Sequence, residues 1–240
     1  MDGGLSYEDL QIVIDDPLFR DQLISFWRLK GGGVAGAFHN RYSYARDILG
    51  DDFISPQQVA EARGVNYTEA QLASFASTLP SKEVLQWARD NGFAVVAGPP
   101  SEMNLLGIHE LNTGLFYSKD YPWFRGKSQK FARNDKVGTA WLIVRKGPVP
   151  NSTYKMWNEQ QALLRDVEYT PNVAEATWFF TTYAAVRGTR LVPNVYVRTS
   201  SADSDGDRVG VGYFDGRGLF VNDCRDVYRY GSFGVASARK

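Results

Sequence analysis

From Gly188 onward the chain admits little besides short strands and tight turns, and this constrains the fold more than any other feature. Residues 194–200, Arg208–Asp215, residues 218–222 and residues 233–239 alternate side chains with period two, separated by turns rich in Asp, Gly and Ser. An antiparallel meander is the expected arrangement. Alternation also assigns faces: Val209, Val211 and Tyr213 share one side, opposite Gly210, Gly212 and Phe214. If Leu219 and Val221 point inward, Phe220 and Asn222 point outward. Between these strands, residues 221–232 (VNDCRDVYRYGS) are polar, aromatic and too irregular for a core strand.

Upstream the periodicity is helical. Val173–Arg187 follows Pro171 and the capping residue Asn172, with Glu175 placed to reach back to the cap and Gly188 to end the helix. Val173, Thr177, Phe180 and Ala184 share one face. Residues 17–30 carry an apolar face through Leu18, Phe19, Leu23, Phe26 and Trp27, and GGGVAG (residues 31–36) then breaks the helix. That run lacks the Lys-Ser/Thr of a phosphate loop and reads as a connector. Ser55-Pro56 opens a further helix, residues 68–77 form another, and residues 81–91 a third closed by Gly92. Residues 93–97, 115–118 and 140–145 read as strands, and residues 152–164 as a helix. The expected organisation is a helical region over residues 1–90 and an α+β domain over residues 91–240.

Composition narrows the functional classes. Twenty-seven basic and 27 acidic side chains among 240 residues argue against a general nucleic-acid binder, which needs an excess of Lys and Arg. One cysteine excludes a disulfide framework, a cysteine-rich zinc site and a two-cysteine redox motif. The opening MDGGLSYEDL is acidic where a signal peptide is basic, so a cytoplasmic or virion-associated location is expected, without a membrane span. His39 and His109 lack partners at metal-ligand spacing and read as polar surface or second-layer residues. Cys224 has no His-Asp pairing that would make it a nucleophile. Asp203, Asp205 and Asp207 resemble the start of a calcium loop, but Val211-Gly212 stands where the bidentate Glu belongs, so a solvated hairpin turn is expected. No catalytic residue, metal or cofactor is assigned.

PNVAEATWFF (residues 171–180) resembles the P-x-x-A-E-x-x-W helix of C-type-lectin-fold proteins related to formylglycine-generating enzymes. YVRTSS (residues 196–201) is similar to that family's strand ending in Ser-Ser, with Arg198-Thr199 where an aromatic usually precedes the serines. RVGVGYFDGRGLFV and the closing FGVASARK follow in order. The series resembles the variable proteins of diversity-generating retroelements over roughly residues 90–240, most strongly from Pro171. Such retroelements replace template adenines, so codons such as AAC become NNC, which never encodes Lys, Gln, Glu, Met or Trp. From Phe179 through Arg239 the chain contains none of the five, and strand propensity accounts for part of that gap.

The resemblance implies a C-type lectin-like fold with an antiparallel C-terminal sheet, preceded by helices. It implies a non-enzymatic, receptor-like binding protein whose variable surface comprises Tyr213, Phe220, Asn222, Asp223, Cys224, Val227, Tyr228, Tyr230, Gly231 and Ser232. The frame beneath would rest on Leu219, Val221, Phe233 and Val235, on Gly218 and Gly234 at close-packed or positive-φ positions, and on Asp226 or Arg229 as an internal pair. The partner would be a macromolecule, protein foremost, and not nucleic acid. A calcium-dependent carbohydrate-binding lectin and an enzyme of the formylglycine-generating type stand as alternatives. The second needs a cysteine pair this chain cannot supply.

Overall fold

A computed structural model describes residues 42–118 and 120–240, almost all within one compact unit, Tyr44–Lys240. The helix expected over residues 17–30, the glycine connector at 31–36 and His39 lie outside the described residues. The described chain is a mixed α+β protein, and its sheets are mostly antiparallel.

Local signals set the helix ends. Helix α1 spans Ser43–Leu49 and is followed by the short strand β1, Phe53–Ile54. Helix α2, Pro56–Arg63, starts at Ser55, whose hydroxyl accepts the Gln58 amide while the Gln58 side chain accepts the Ser55 amide. Thr68 and Gln71 repeat this exchange at the start of α3, Glu69–Ser77. Helix α4, Lys82–Asp90, is capped by Ser81 and followed by Gly92 in the left-handed region. Strand β2, Phe93–Ala97, is buried at every residue. It pairs parallel with β1 and antiparallel with β5, Trp141–Arg145. The helices before residue 91 therefore pack in the same unit as the strands after it, and residue 90 bounds no compact unit.

The connection from β2 to β5 carries β3 (Met103–Asn104), α5 (Leu105–Leu111), α6 (Phe131–Asn134) and β4 (Lys136–Val137). The strand expected over residues 115–118 reduces to one bridge from Phe116 to Leu219 after a turn of 3-10 helix. The helix expected over residues 152–164 shrinks to α7, Trp157–Gln161, because Tyr154 sits at φ +57°, outside helical geometry. Strand β6, Glu168–Tyr169, precedes α8, Val173–Arg187, which has the expected Asn172–Glu175 capping box and ends at Gly188 in the left-handed region.

Helix α8 is the centre of the unit Tyr44–Lys240. Its apolar residues are not confined to one face: every residue from Val173 to Ala184 except Glu175 is buried. It packs against β2 and β5 of one sheet and against β7 (Tyr196–Ala202) and β8 (Arg208–Asp215) of the other. Trp178 donates its indole N–H to the Ala97 carbonyl at 3.0 Å, and the buried Arg63 guanidinium lies 5.0 Å from the Trp178 ring centre.

The second sheet runs β10-β7-β8-β9, with β9 at Gly218–Cys224 and β10 at Phe233–Val235. Strands β7, β8 and β9 form the expected meander, but β10 joins β7 in parallel. The last expected strand divides: after β10 the chain crosses to the first sheet, where β11, Ala238–Arg239, lies between β5 and β6. The face assignment also fails at Tyr213. The pairing of β8 with β9 shifts between Gly212 and Asp215, and Tyr213 adopts φ +43°. This bulge consumes a residue, so Tyr213 turns toward the surface and Phe214 enters the core.

Candidate functional site

The second sheet and the loop after β9 enclose a cleft of about 460 Å³. Its floor is aromatic. Tyr196 on β7 stacks on Phe233 of β10 with ring centres 4.6 Å apart, and Tyr213 packs against Tyr196 at 4.7 Å. Phe220 of β9 closes one side and is itself stacked on Tyr117 at 3.9 Å. Asn222, Asp223, Tyr230 and Ser232 complete the rim.

Arg217 also borders the cleft, but its guanidinium is engaged twice. It lies 5.1 Å from the Phe220 ring centre and grips Asp215 through Nε and Nη2, the latter at 2.7 Å. The hydrogen bonds from Arg217 hold the Asp215 carboxyl below the usual carboxylate range. Burial raises the phenol of Tyr196 from its ordinary value.

The loop over residues 225–232 is held through backbone carbonyls, with ion pairs from Arg225, Asp226 and Arg229 beside them. The amides of Trp157 and Tyr154 donate to the carbonyls of Asp226 and Tyr230, and the Tyr196 amide donates to that of Ser232 at 2.8 Å. The main anchor is Arg198, which is fully buried. Its Nη1 donates to the Lys155 carbonyl at 3.1 Å and to Gln160 Oε1 at 3.0 Å. Its Nη2 faces the Cys224 thiol at 2.6 Å and the carbonyls of Arg225 and Tyr228 at 3.0 and 2.9 Å. Among the described residues no carboxylate pairs with it, so the cation is stabilised by oriented dipoles and by the Phe233 ring 5.8 Å away.

The ten residues expected at the surface divide accordingly. Tyr213, Phe220, Asn222, Asp223, Tyr230 and Ser232 come together around the cleft. Val227 and Tyr228 project outside it, 62% and 42% exposed, and Tyr230 is 47% exposed. The Tyr228 and Tyr230 rings meet edge to face at 5.5 Å. Gly231 lies beside the exposed Tyr154, whose ring tip would have to move for any side chain there. Cys224 is a correction. It is 4% exposed, not displayed, because its thiol is drawn beneath the loop by Arg198, and burial pushes that thiol up from its ordinary value. Such a thiol is a poor nucleophile.

In the frame, Gly218 and Gly234 occupy the positions expected of them. Gly218 has φ +115° with a Cβ position 2.4 Å from the Phe116 carbonyl carbon, and Gly234 presses on Pro148 and Ser152. Leu219, Phe233 and Val235 are buried, while Val221 is only partly so. Asp226 and Arg229 do not pair with one another. Asp226 accepts from Arg208 at 3.3 Å, and Arg229 reaches Glu159 at 2.9 Å, because the loop straddles β8 and α7.

The aspartate-rich segment is a turn, as expected. Asp203 Oδ1 accepts the amides of Asp205 and Asp207, both at 2.9 Å, with Gly206 at φ +86°. Carboxylate oxygens of Asp203, Asp207 and Asp223 lie within 4.8 Å of one another; Asp205 is not part of this group. His109 differs from its expected place: it is fully buried between Phe116 and Phe124, with Nε2 donating to the Ser118 carbonyl at 2.8 Å.

Sequence pattern did not point to Tyr196, Arg217 and Phe233 as cleft residues, nor to Arg198 as the loop anchor. Tyr196 and Phe233 meet only because the first and last strands of the sheet are neighbours in parallel, which no local periodicity signals. No helix among the described residues is long and apolar enough to cross a membrane. Comparison with protein-family models, with curated proteins and with solved structures finds no match.

Proposed function

We propose that this protein is a non-enzymatic, receptor-like binding protein with a C-type lectin-like scaffold, and that a retroelement diversifies its C-terminal face. The observation that carries the reading is the separation of roles in residues 218–235. Backbone groups and buried side chains, Arg198 above all, hold the loop, while Asn222, Asp223, Val227, Tyr228 and Tyr230 extend from it. A surface that accepts many sequences must leave folding energy to the frame beneath it. Tyr, Asn, Ser and Gly on a rigid backbone give adaptable contact at low entropic cost, as in antibody loops. The return of the terminal strand β11 into the first sheet, beyond the displayed loop, agrees with a lectin-like closure.

Two experiments test this reading. Substitution of Tyr228 and Tyr230 by residues of the NNC set should leave the melting temperature nearly unchanged. A loss of several degrees from either ring would make the surface part of the fold and overturn the proposal. The coding DNA should also carry a near-identical copy of the segment for the C-terminal residues, differing mainly at adenines, beside a reverse transcriptase.

The calcium-lectin alternative draws on one observation, the convergence of Asp203, Asp207 and Asp223. Asp203 already serves the turn through two backbone amides, which accounts for its position without an ion. Calorimetric titration with calcium separates the two readings: saturable heat at millimolar calcium, lost in Asp223→Asn, would favour the lectin. The formylglycine-type alternative has only the buried Cys224 to work with.

A further inference from the structure

We infer that the aromatic cleft binds the cationic head of a Lys or Arg side chain presented by a protein partner. This names the ligand chemistry of the face proposed above and rests on that reading. The first observation is the wall chemistry. Tyr196, Tyr213, Phe220, Tyr230 and Phe233 offer π-faces around a space of about 460 Å³, large enough for one long side chain. Ring faces attract an alkylammonium or guanidinium ion held within about 6 Å of their centres, more strongly where water is excluded.

The second observation is charge. Between Asp203 and Asp226 the chain carries six carboxylates and three guanidinium groups. Each guanidinium is occupied by one carboxylate: Arg208 by Asp226 at 3.3 Å, Arg217 by Asp215 at 2.7 Å, and Arg225 by Asp207 at 3.7 Å. Asp203, Asp205 and Asp223 remain, and of these only Asp223 lines the cleft. Among the described residues Asp223 makes no ion pair and no side-chain hydrogen bond, and its carboxylate lines the cleft with an oxygen within 4.8 Å of those of Asp203 and Asp207. Arg217 does not pair with Asp223, because it is bound to Asp215 and stacked on Phe220. An incoming cation would meet π-faces on the floor and Asp223 at the rim. An incoming carboxylate would meet Asp223 at the rim and an Arg217 already bound to Asp215. The cleft thus discriminates by charge sign as well as by size.

The test uses three blocked amino acids of similar length: Nα-acetyl-arginine methylamide, Nα-acetyl-lysine methylamide and, as neutral counterpart, Nα-acetyl-norleucine methylamide. Binding is followed on the intact chain by chemical-shift titration of the aromatic resonances. Both cations should shift the tyrosine signals saturably, and norleucine should bind about tenfold more weakly or worse. Asp223→Asn should weaken the cations about tenfold and leave norleucine unchanged. Asp205→Asn removes the same charge from the exposed turn outside the cleft and should leave all three nearly unchanged. Equal binding of norleucine, no saturable shift with either cation at tens of millimolar, or equal loss from Asp205→Asn and Asp223→Asn would each overturn the inference. The failure is distinguishable from failure of the display reading, since the latter appears as loss of melting temperature on changing Tyr228 or Tyr230. A free small amine such as choline binding as tightly as the blocked side chains would move the ligand from a protein partner to a metabolite and also overturn the assignment.

Discussion

Replacing Arg198 by Met should release the loop over residues 225–232 before it unfolds the protein. Methionine matches the apolar stem of the side chain but is shorter, places no guanidinium over Phe233 and donates no hydrogen bond. In the wild type two N–H groups of Nη2 serve the Cys224 thiol and the carbonyls of Arg225 and Tyr228. At about 1.5 kcal/mol each for a charged donor, their loss lowers the cost of lifting the loop by about 3 kcal/mol. At about 1.4 kcal/mol per factor of ten, the open population rises roughly a hundredfold. Global stability should fall by at least as much, about 3–5 kcal/mol, because the unfolded chain makes none of these bonds and Gln160 Oε1 is also left buried without its donor. No opposite charge is stranded, since among the described residues no carboxylate pairs with Arg198. The chain carries its own reporter: Cys224 is the single cysteine and lies beneath this loop. The assay is the rate of reaction of that thiol with an aromatic disulfide at pH 8 under native conditions. Arg198 favours the thiolate in the wild type, so its removal slows the chemistry itself and any rise in rate reports opening. A rate within about threefold of wild type, alongside an ordinary fall in melting temperature, would refute the reasoning. The loop would then be held by the amides of Tyr154 and Trp157 alone.

Two further outcomes follow from the frame. Gly218→Ala must place a Cβ against the Phe116 backbone at φ +115°, so urea unfolding should show a loss of about 2–4 kcal/mol; a loss under about 1 kcal/mol would mean the bridge to Phe116 is soft. Burial raises the Glu175 carboxyl above the ordinary glutamate range. The folded state therefore binds that proton more tightly than the unfolded chain, and wild-type stability falls as pH rises from the ordinary glutamate value through the raised one. Glu175→Gln retains an oxygen for the Asn172 amide and has no proton to lose, so its stability relative to wild type should increase across that window. A difference that stays flat or shrinks in urea titrations below and above the window would contradict the sign.

Helix ends and the middle strands were legible because their determinants are local. Ser55, Thr68 and Asn172 each satisfy backbone amides within three residues, and Arg208–Asp215 carries its alternation in its own composition. The displaced features depend on partners remote in sequence. Tyr213 turns outward because a bulge breaks the alternation that its neighbours obey, and the bulge is defined by pairing with β9. Cys224 is buried because Arg198, 26 residues earlier, draws it under the loop. Arg198 itself stands where an aromatic was expected and takes an aromatic's place in the packing, with a charge that gathers acceptors from β9, the loop and the segment before α7. Of the candidate site, the rim was readable from residue type and the floor was not. Tyr196 and Phe233 become neighbours only through a crossover that returns the chain beside its own first strand in this sheet.

The division of the terminal strand has a consequence for incomplete chains. The two strands that follow the loop over residues 225–232, β10 beside β7 and β11 between β5 and β6, are both synthesised after it. A stop codon or frameshift anywhere within residues 225–232 yields a chain missing an inner strand of the five-stranded sheet and the outer neighbour of β7. Such a product exposes three unpaired edges and is marked for aggregation or proteolysis. Only a message read through residues 225–232 to the end of β11 gives a molecule that closes both sheets, so the architecture itself rejects truncated products during synthesis.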